Sequence, residues 1–417
     1  MPALAVLLLL TAAAPPEVPP PEPARLRAGV ELSVLGLPAV SGLYASVLPV
    51  LSWDGGEAFG VELGAVLRFS GGGLRRVDWD SLSDFGQLLR ELRAGTEGGP
   101  VALHAGALGP LTLGTGRLVR RYDGGLNPDY HPAGALLSLQ AGAWRGEMLA
   151  TDVLGARLFA AEARWDLGRA LGLGEDRWTV ALSGAHDAGL AGGRAPVASL
   201  ASFETAGVLL RGGAVALGAL ASAGARVAAP GLGAAAGLLL DATPGGHGLS
   251  LQLEGRFQQD GFRHGFVGPD YELRRFCGVG LAGLPLQDER LAAGASVFLS
   301  AQWQLPRTAG RESPFSVVLS AERFSSGRWD ADGALSWLPG RGAHAFALRG
   351  GVTGLGLPGV ARPWVLAEGR ARVAPAVYVV ASGGTVFFPE TDGASGGSTR
   401  LRPGVQASLG AGFDLAH

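Results

Sequence analysis

The stretch Arg117 to His131 holds the groups in this chain best placed to bind or react. Tyr122, Asp123, Asn127, Asp129, Tyr130 and His131 fall close together there, and they include the single Asn and two of the five Tyr. A second stretch, His264 to Arg275, repeats the Pro-Asp-Tyr triplet and adds Asp270 and Tyr271. Carboxylates, an amide and phenols in one loop could hold a small polar ligand. Equally, the two prolines could start turns in which Asn and Asp bond their own backbone. A calcium loop needs more carboxylates at closer alternate spacing around a glycine turn than Asp123, Asn127 and Asp129 supply. The sequence contains no Lys and no Ile, which points to a strongly GC-rich genome. An Asn kept against that bias hints at selection on its loop.

Other chemistry finds little support. His104, His186, His247, His264 and His344 are scattered, with no His-x-x-x-His pair, and Cys277 is the only cysteine. That leaves no zinc ligand set and no disulfide framework. There is no Gly-x-Ser-x-Gly elbow for a nucleophilic serine. His186 and Asp187 are adjacent, so in a strand they point to opposite faces. Gly71 to Gly73 lacks the following Lys and helix of a phosphate loop and reads as a turn. No catalytic residues, metal or cofactor are assigned. A formal charge of −2 argues against nucleic acid. An outer-membrane hydrolase survives only as a third alternative.

The elements that must carry these loops are strands. Leu249, Leu251, Leu253 and Phe257 alternate with Ser250, Gln252, Glu254 and Arg256, and similar alternation runs through 61–69, 161–167, 295–304, 315–322 and 365–373. Runs of about 9 to 12 residues are membrane-strand length, against about 5 or 6 for an ordinary strand. They recur about every 20 residues, which predicts an all-β transmembrane antiparallel barrel of about 18 strands, within 16 to 20. A hydrophobic content of 47% agrees, as does a mean hydropathy of +0.25 without a convincing membrane helix. Trp53, Trp144, Trp165, Trp178, Trp303, Trp337 and Trp364 sit near run ends, where an interfacial girdle would place them. The polar alternates Glu62, Arg68, Glu162, Arg164, Asp166, Glu254, Arg256, Glu322, Glu368, Arg370 and Arg372 are the expected lumen lining. Six acids against five arginines predict weak ion selectivity.

One segment departs from this alternation. From Ser81 to Ala94, Leu82, Phe85, Leu88, Leu89 and Leu92 share a helical face behind a Ser81 N-cap, which predicts a short inserted helix in the lumen or at its rim. It is the expected pore filler.

Both ends place the chain. Residues 1–13 read as a signal peptide, 14–27 as a proline-rich periplasmic tail and 28–417 as the barrel. The last strand sets Ser408, Gly410, Phe413 and Leu415 at offsets that resemble the C-terminal signal by which the barrel-assembly machinery recognises outer-membrane barrels; Gly410, Phe413 and Leu415 are its assembly elements. Together with Asp80 to Gly95 and Leu113-Gly114-Thr115-Gly116, the two loop stretches are similar to parts of an uncharacterised family of deltaproteobacterial outer-membrane barrel proteins. The resemblance covers about a third of the chain and implies a barrel without a known activity. The expectation is a porin-like channel or binding protein for small hydrophilic solutes in a Gram-negative outer membrane, with lipid bilayer and lipopolysaccharide as its surroundings. The alternative is a structural or surface-interaction barrel with a filled lumen.

Overall fold

The computed structural model describes residues 25–416 apart from 38–41, 57, 97, 125–130, 156, 175, 189–197, 228–230, 260, 273–293, 307–312, 339–343, 358–360 and 392–398. The expected signal peptide, nearly all of the proline tail, Cys277, Asn127, Asp129 and Tyr130 lie outside the described residues. Of 22 strands, 20 pair antiparallel in a closed ring, and two short ones lie outside it: Leu67–Ser70, which pairs with 45–47 of Gly42–Asp54, and Gly73–Leu74, which pairs with Leu67–Ser70. The ring is sealed by its ends, because Arg25–Leu37 pairs with both Gly42–Asp54 and the last strand, Thr399–Ala416. In that seam Val30 faces Phe413 and Ser33 faces Gly410. Twenty strands exceed the expected 18, because the apolar, alanine- and glycine-rich stretch after 198 hides full-length strands. These are Ala198–Gly212, Val215–Val227 and Leu232–Ala242.

The pleat sorts the side chains. Leu32, Val34, Leu182, Val297, Leu299, Leu319 and Leu409 point outward and stay at least half or nearly half exposed, while Glu162, Glu204, Glu254, Arg256 and Glu322 on the other face are buried. One barrel end has short turns such as 142–143, 213–214 and 375–376; the other carries the long insertions 107–133 and 259–293. Trp53, Trp144, Trp165, Trp178, Trp303 and Trp337 all mark the short-turn end, with Trp144 and Trp165 stacked at 5.3 Å. Trp364 departs from this expectation: it sits toward the other end and is buried inward.

The inserted helix is the main correction. Only Leu82–Leu88 is helical, as 3₁₀ turns, and Leu89–Ala94 is a barrel strand between Phe59–Gly64 and Val101–Gly106. The cap signal was real, since the Ser81 amide and hydroxyl both donate to Asp84, at 2.9 and 2.8 Å. What misled the spacing is a β-bulge opposite Glu62 and Leu63, which puts Leu89 and Leu92, three apart, across from Leu63 and Val61 on one face. The first strand also begins at Arg25, ahead of the expected barrel start.

Gly410 and Phe413 should fail differently. A Cβ at Gly410 would sit 2.3 Å from the Leu32 carbonyl, so Gly410→Val should destabilise the folded seam by about 1–3 kcal/mol. Phe413 points outward and is 46% exposed, so Phe413→Ala should lower the yield of assembled barrel while barely moving its heat-shift temperature. Heat-shift electrophoresis separates the two; an unchanged yield for Phe413→Ala would count against its role in assembly.

Candidate functional site

The interior is organised by two insertions from the long-loop end. Residues 111–122 fold as a hairpin, with Leu111 and Tyr122 exchanging backbone hydrogen bonds at 2.9 and 2.8 Å. Its tip turns at Gly114 and Gly116, both with positive φ (52° and 75°) that glycine adopts at least cost. Gly114 is also required by contact, because an added Cβ would fall within the Glu162 carboxylate. Its returning arm lies parallel to 265–267: Gly265 and Val267 donate to the carbonyls of Arg117 and Leu118, and Arg120 donates to that of Val267.

These paired insertions lie along the inner wall from Trp144–Ala150 round to Trp329–Trp337. On the first side they pack a hydrophobic core, in which Leu113, Leu118, Val119, Tyr122, Phe262, Phe266 and Val267 meet the wall residues Leu149, Leu158, Ala185 and Leu200. Phe262 is fully buried above Gly224 and Gly233, where a Cβ on either glycine would come within 2.5 Å of its ring. The glycines make room for that ring.

From Ala198–Gly212 round to Trp329–Trp337 the insertions are held by charge. Arg117 donates to Glu254 through both terminal nitrogens, at 2.9 and 2.6 Å, and to Glu204 through Nε. Arg256 joins Glu254 to Glu322 at 2.7 and 2.9 Å and lies 3.7 Å over the Phe298 ring. Arg121 reaches Asp332 at 2.6 Å, and Arg120 does so at 3.5 Å. Burial alone would push the Arg117 guanidinium down, yet the bonds from Glu254 and Glu204 more than offset it and hold the group above its usual value. His264 has no such acid bonded to it. Burial and then the charges of Arg256 and Arg117 push it down to about 3, so it is neutral near pH 7.

The sequence candidates divide accordingly. Tyr122 and Tyr271 are buried, donating to Glu272 and to Asp187 (2.7 Å). Asp123 accepts from Arg349 at 2.5 Å and Asp270 from Thr353 at 3.2 Å, while His131 lies 3.3 Å from Arg68 and 3.8 Å from Asp78. All are engaged by other parts of the barrel. His186 is exposed beside Ser199, away from the buried Asp187. Glu162 accepts from the Thr115 amide, and Glu254, Arg256 and Glu322 form the network above. Asp166 caps the helical turn Leu167–Ala170 instead, Arg164 lies 3.7 Å from Asp176, and Arg372 donates to the Pro375 carbonyl at a turn.

A third arc of the wall is left uncovered by the described residues of the insertions. There Glu62 meets Arg90 at 3.1 Å with both about one-third exposed, Glu368 is 56% exposed beside Arg349, and Arg370 stacks over Tyr378. Glu31 faces the charges of Arg90 and Arg370 across this space. Sequence reasoning missed Arg117, Arg120, Arg121, Glu204, Asp332 and Glu31. The 117, 120, 121 spacing around Leu118 and Val119 was the available signal.

Comparison with solved structures returns barrels of low identity. A BenF-like porin from Pseudomonas fluorescens Pf-5 is 10% identical over 95% of this chain and 99% of its own, with a TM-score of 0.36. OccK3 (OpdO) of Pseudomonas aeruginosa is 13% identical over 94% and 96%, with a TM-score of 0.37. CdiB from Acinetobacter baumannii is 6% identical over 94% of this chain but 60% of its own, with a TM-score of 0.30. No family pattern matches the sequence, and no curated protein does.

Removing Arg117 takes the bonded arginine from buried Glu204 and leaves Glu254 with Arg256 alone, which should cost about 3–5 kcal/mol. Arg117→Met should therefore expose 111–123 to protease in the assembled barrel, and adding Glu204→Gln should restore part of the resistance. Equal resistance of Arg117→Met and wild type would show that the hydrophobic side alone holds the segment. Because His264 is depressed when folded, its contribution is present above about pH 6.5 and lost as pH falls toward 3, roughly 3 kcal/mol by pH 4. The protection factors of the Phe266 and Val267 amides should fall over that window, and His264→Gln should flatten the response.

Proposed function

We propose that this barrel spans the outer membrane of a Gram-negative bacterium and passes small hydrophilic solutes through the part of its interior that the insertions leave open. The outward belt supports the membrane part. Trp329 and Trp337 bound an outward face about 27 Å long measured along the strand, which after a tilt of about 40° spans about 21 Å, close to the apolar band of about 25 Å between aromatic girdles. Exposed Leu and Val over so much of a closed wall would be untenable in water. Short turns then face the periplasm and the long insertions enter from outside. Lipid and lipopolysaccharide surround the wall in this reading, and the barrel-assembly machinery inserts it.

One observation carries the channel reading: the interior is divided between a sealed side and a charged side with partly water-exposed groups. A ring of 20 strands would leave a wide aqueous bore if nothing filled it. Here the hairpin and its partner segment close the arc around Leu149, Leu158 and Leu200, while Glu31, Glu62, Arg90, Glu368 and Arg370 line the rest. The filler is thus these two insertions rather than Leu82–Leu88. Mixed charge on the open arc favours weak selectivity over the strong preference of a single-sign ring.

Planar-bilayer recording tests this. The intact protein should show small, weakly selective conductance. Replacing 112–121 with a short glycine link, which the pairing of Leu111 with Tyr122 allows, should raise it at least about twofold. Silence from both proteins would favour the filled structural barrel, and strong selectivity would contradict the charged-arc assignment.

A further inference from the structure

The wall has one place where strands do not reach. On most of the ring, outward residues span about eight positions, as from Trp329 to Trp337. In Val101–Gly106 the outward positions run only from Val101 to Ala105, about 14 Å along the strand. Neighbouring Leu89–Ala94, Gly134–Ala141 and Trp144–Ala150 are also short. Above them sits Leu82–Leu88, joined to 131–133 and, through Ser83, to Asp152, Gly155 and Arg157. Ser83 donates to Asp152 at 2.5 Å, and Gly86 packs so close that a Cβ would come 2.2 Å from the Ala133 amide.

This segment is polar inside and apolar outside. Ser83, Asp84 and Gln87 are at most 8% exposed, whereas Leu82 is 72% and Phe85 and Leu88 are 46% exposed. Val153 and Leu154, each 47% exposed, belong to the turn that Ser83 contacts, and Trp79 meets Phe85 edge-on at 5.7 Å. Two backbone groups at the ladder break find a partner in one side chain: Gln87 accepts from the Val66 amide at 3.3 Å and donates to the Asp78 carbonyl at 2.8 Å. A segment facing water would show the reverse arrangement, and hydrocarbon requires backbone groups to find partners within the protein.

We propose that Leu82, Phe85 and Leu88, with Val153 and Leu154, form a lipid-facing panel of the barrel wall whose occupant is bilayer hydrocarbon. The panel continues the outward belt above the short strands and closes the wall by side-chain contacts where no strand ladder does. This inference rests on the membrane reading given above. It makes this sector the one non-strand part of the hydrocarbon-facing wall among the described residues.

Single nitroxide labels test it in the full-length protein carrying Cys277→Ser, reconstituted in phosphatidylcholine–phosphatidylglycerol vesicles. Labels go at Leu82→Cys, Phe85→Cys and Leu88→Cys, with Val297→Cys and Leu319→Cys as strand references and Gly327→Cys as a loop reference. Only samples showing the heat shift of assembled barrel are measured. The panel positions should give collision rates dominated by dissolved oxygen over a water-soluble nickel chelate, at ratios within about twofold of the strand references. Nickel-dominated collisions at Leu82 and Phe85, with oxygen-dominated references, would overturn the panel and leave the membrane reading standing. Nickel-dominated collisions at Val297 and Leu319 as well would overturn both. Should Phe85→Cys fail to assemble, Leu82→Cys and Leu88→Cys decide the matter.

Discussion

The interior of this barrel depends on the pairing of Arg117 with Glu204 and Glu254. A 20-stranded ring has room for a wide bore, and a polar segment crossing it must satisfy every charge it carries inward. Arg117 does so from the hairpin arm, at 2% exposure, between two strands far apart in sequence. Four arginines, 117, 120, 121 and 256, then face four carboxylates, Glu204, Glu254, Glu322 and Asp332. Buried charges matched in this way contribute less net stability than register, since replacement by apolar groups can be neutral while removal of one partner is costly. The network therefore fixes where the segment lies, and the core around Leu118 and Phe262 supplies the adhesion.

That division of labour explains the unusual composition. Small residues on the inner face, such as Gly224, Gly233, Ala160 and Ala185, let large side chains of the insertions approach the wall. Outside, the same strands present leucines and valines. Apolar content is thus high on both sides of the first arc, where a simple alternation of polar and apolar residues disappears.

For that reason the fold was legible only where one face of a strand stays polar. Residues 249–257, 295–304 and 365–373 were readable as strands because Glu254, Arg256, Gln302, Glu368 and Arg370 keep the inner face charged or polar. In Ala198–Gly212 and its neighbours most inner positions are small or apolar, such as Leu200, Leu220, Gly224, Gly233 and Ala235, with Glu204 the lone buried carboxylate among them, so the period fades. Leu89–Ala94 read as helix because a bulge changed its spacing by one. At the site, the loops around Tyr122 and Tyr271 stood out by composition, but their partners come from distant strands: Glu272, Asp187, Arg349 and Thr353. Such pairings depend on ring order and inward register, which a local pattern does not encode. The wet arc was partly visible through Glu62, Glu368 and Arg370, whereas Glu31 lay between the small inner residues Gly29 and Ser33, where the alternation is faint.

The central claim is that the insertions seal one arc and leave the other as the passage. Thiol modification during single-channel recording tests it most directly, in protein carrying Cys277→Ser. A bulky water-soluble thiol reagent should step the current down in Glu368→Cys and leave it unchanged in Ala185→Cys, which lies in the sealed core. Block at residue 185, or an open channel indifferent to modification confirmed at residue 368, would contradict the account.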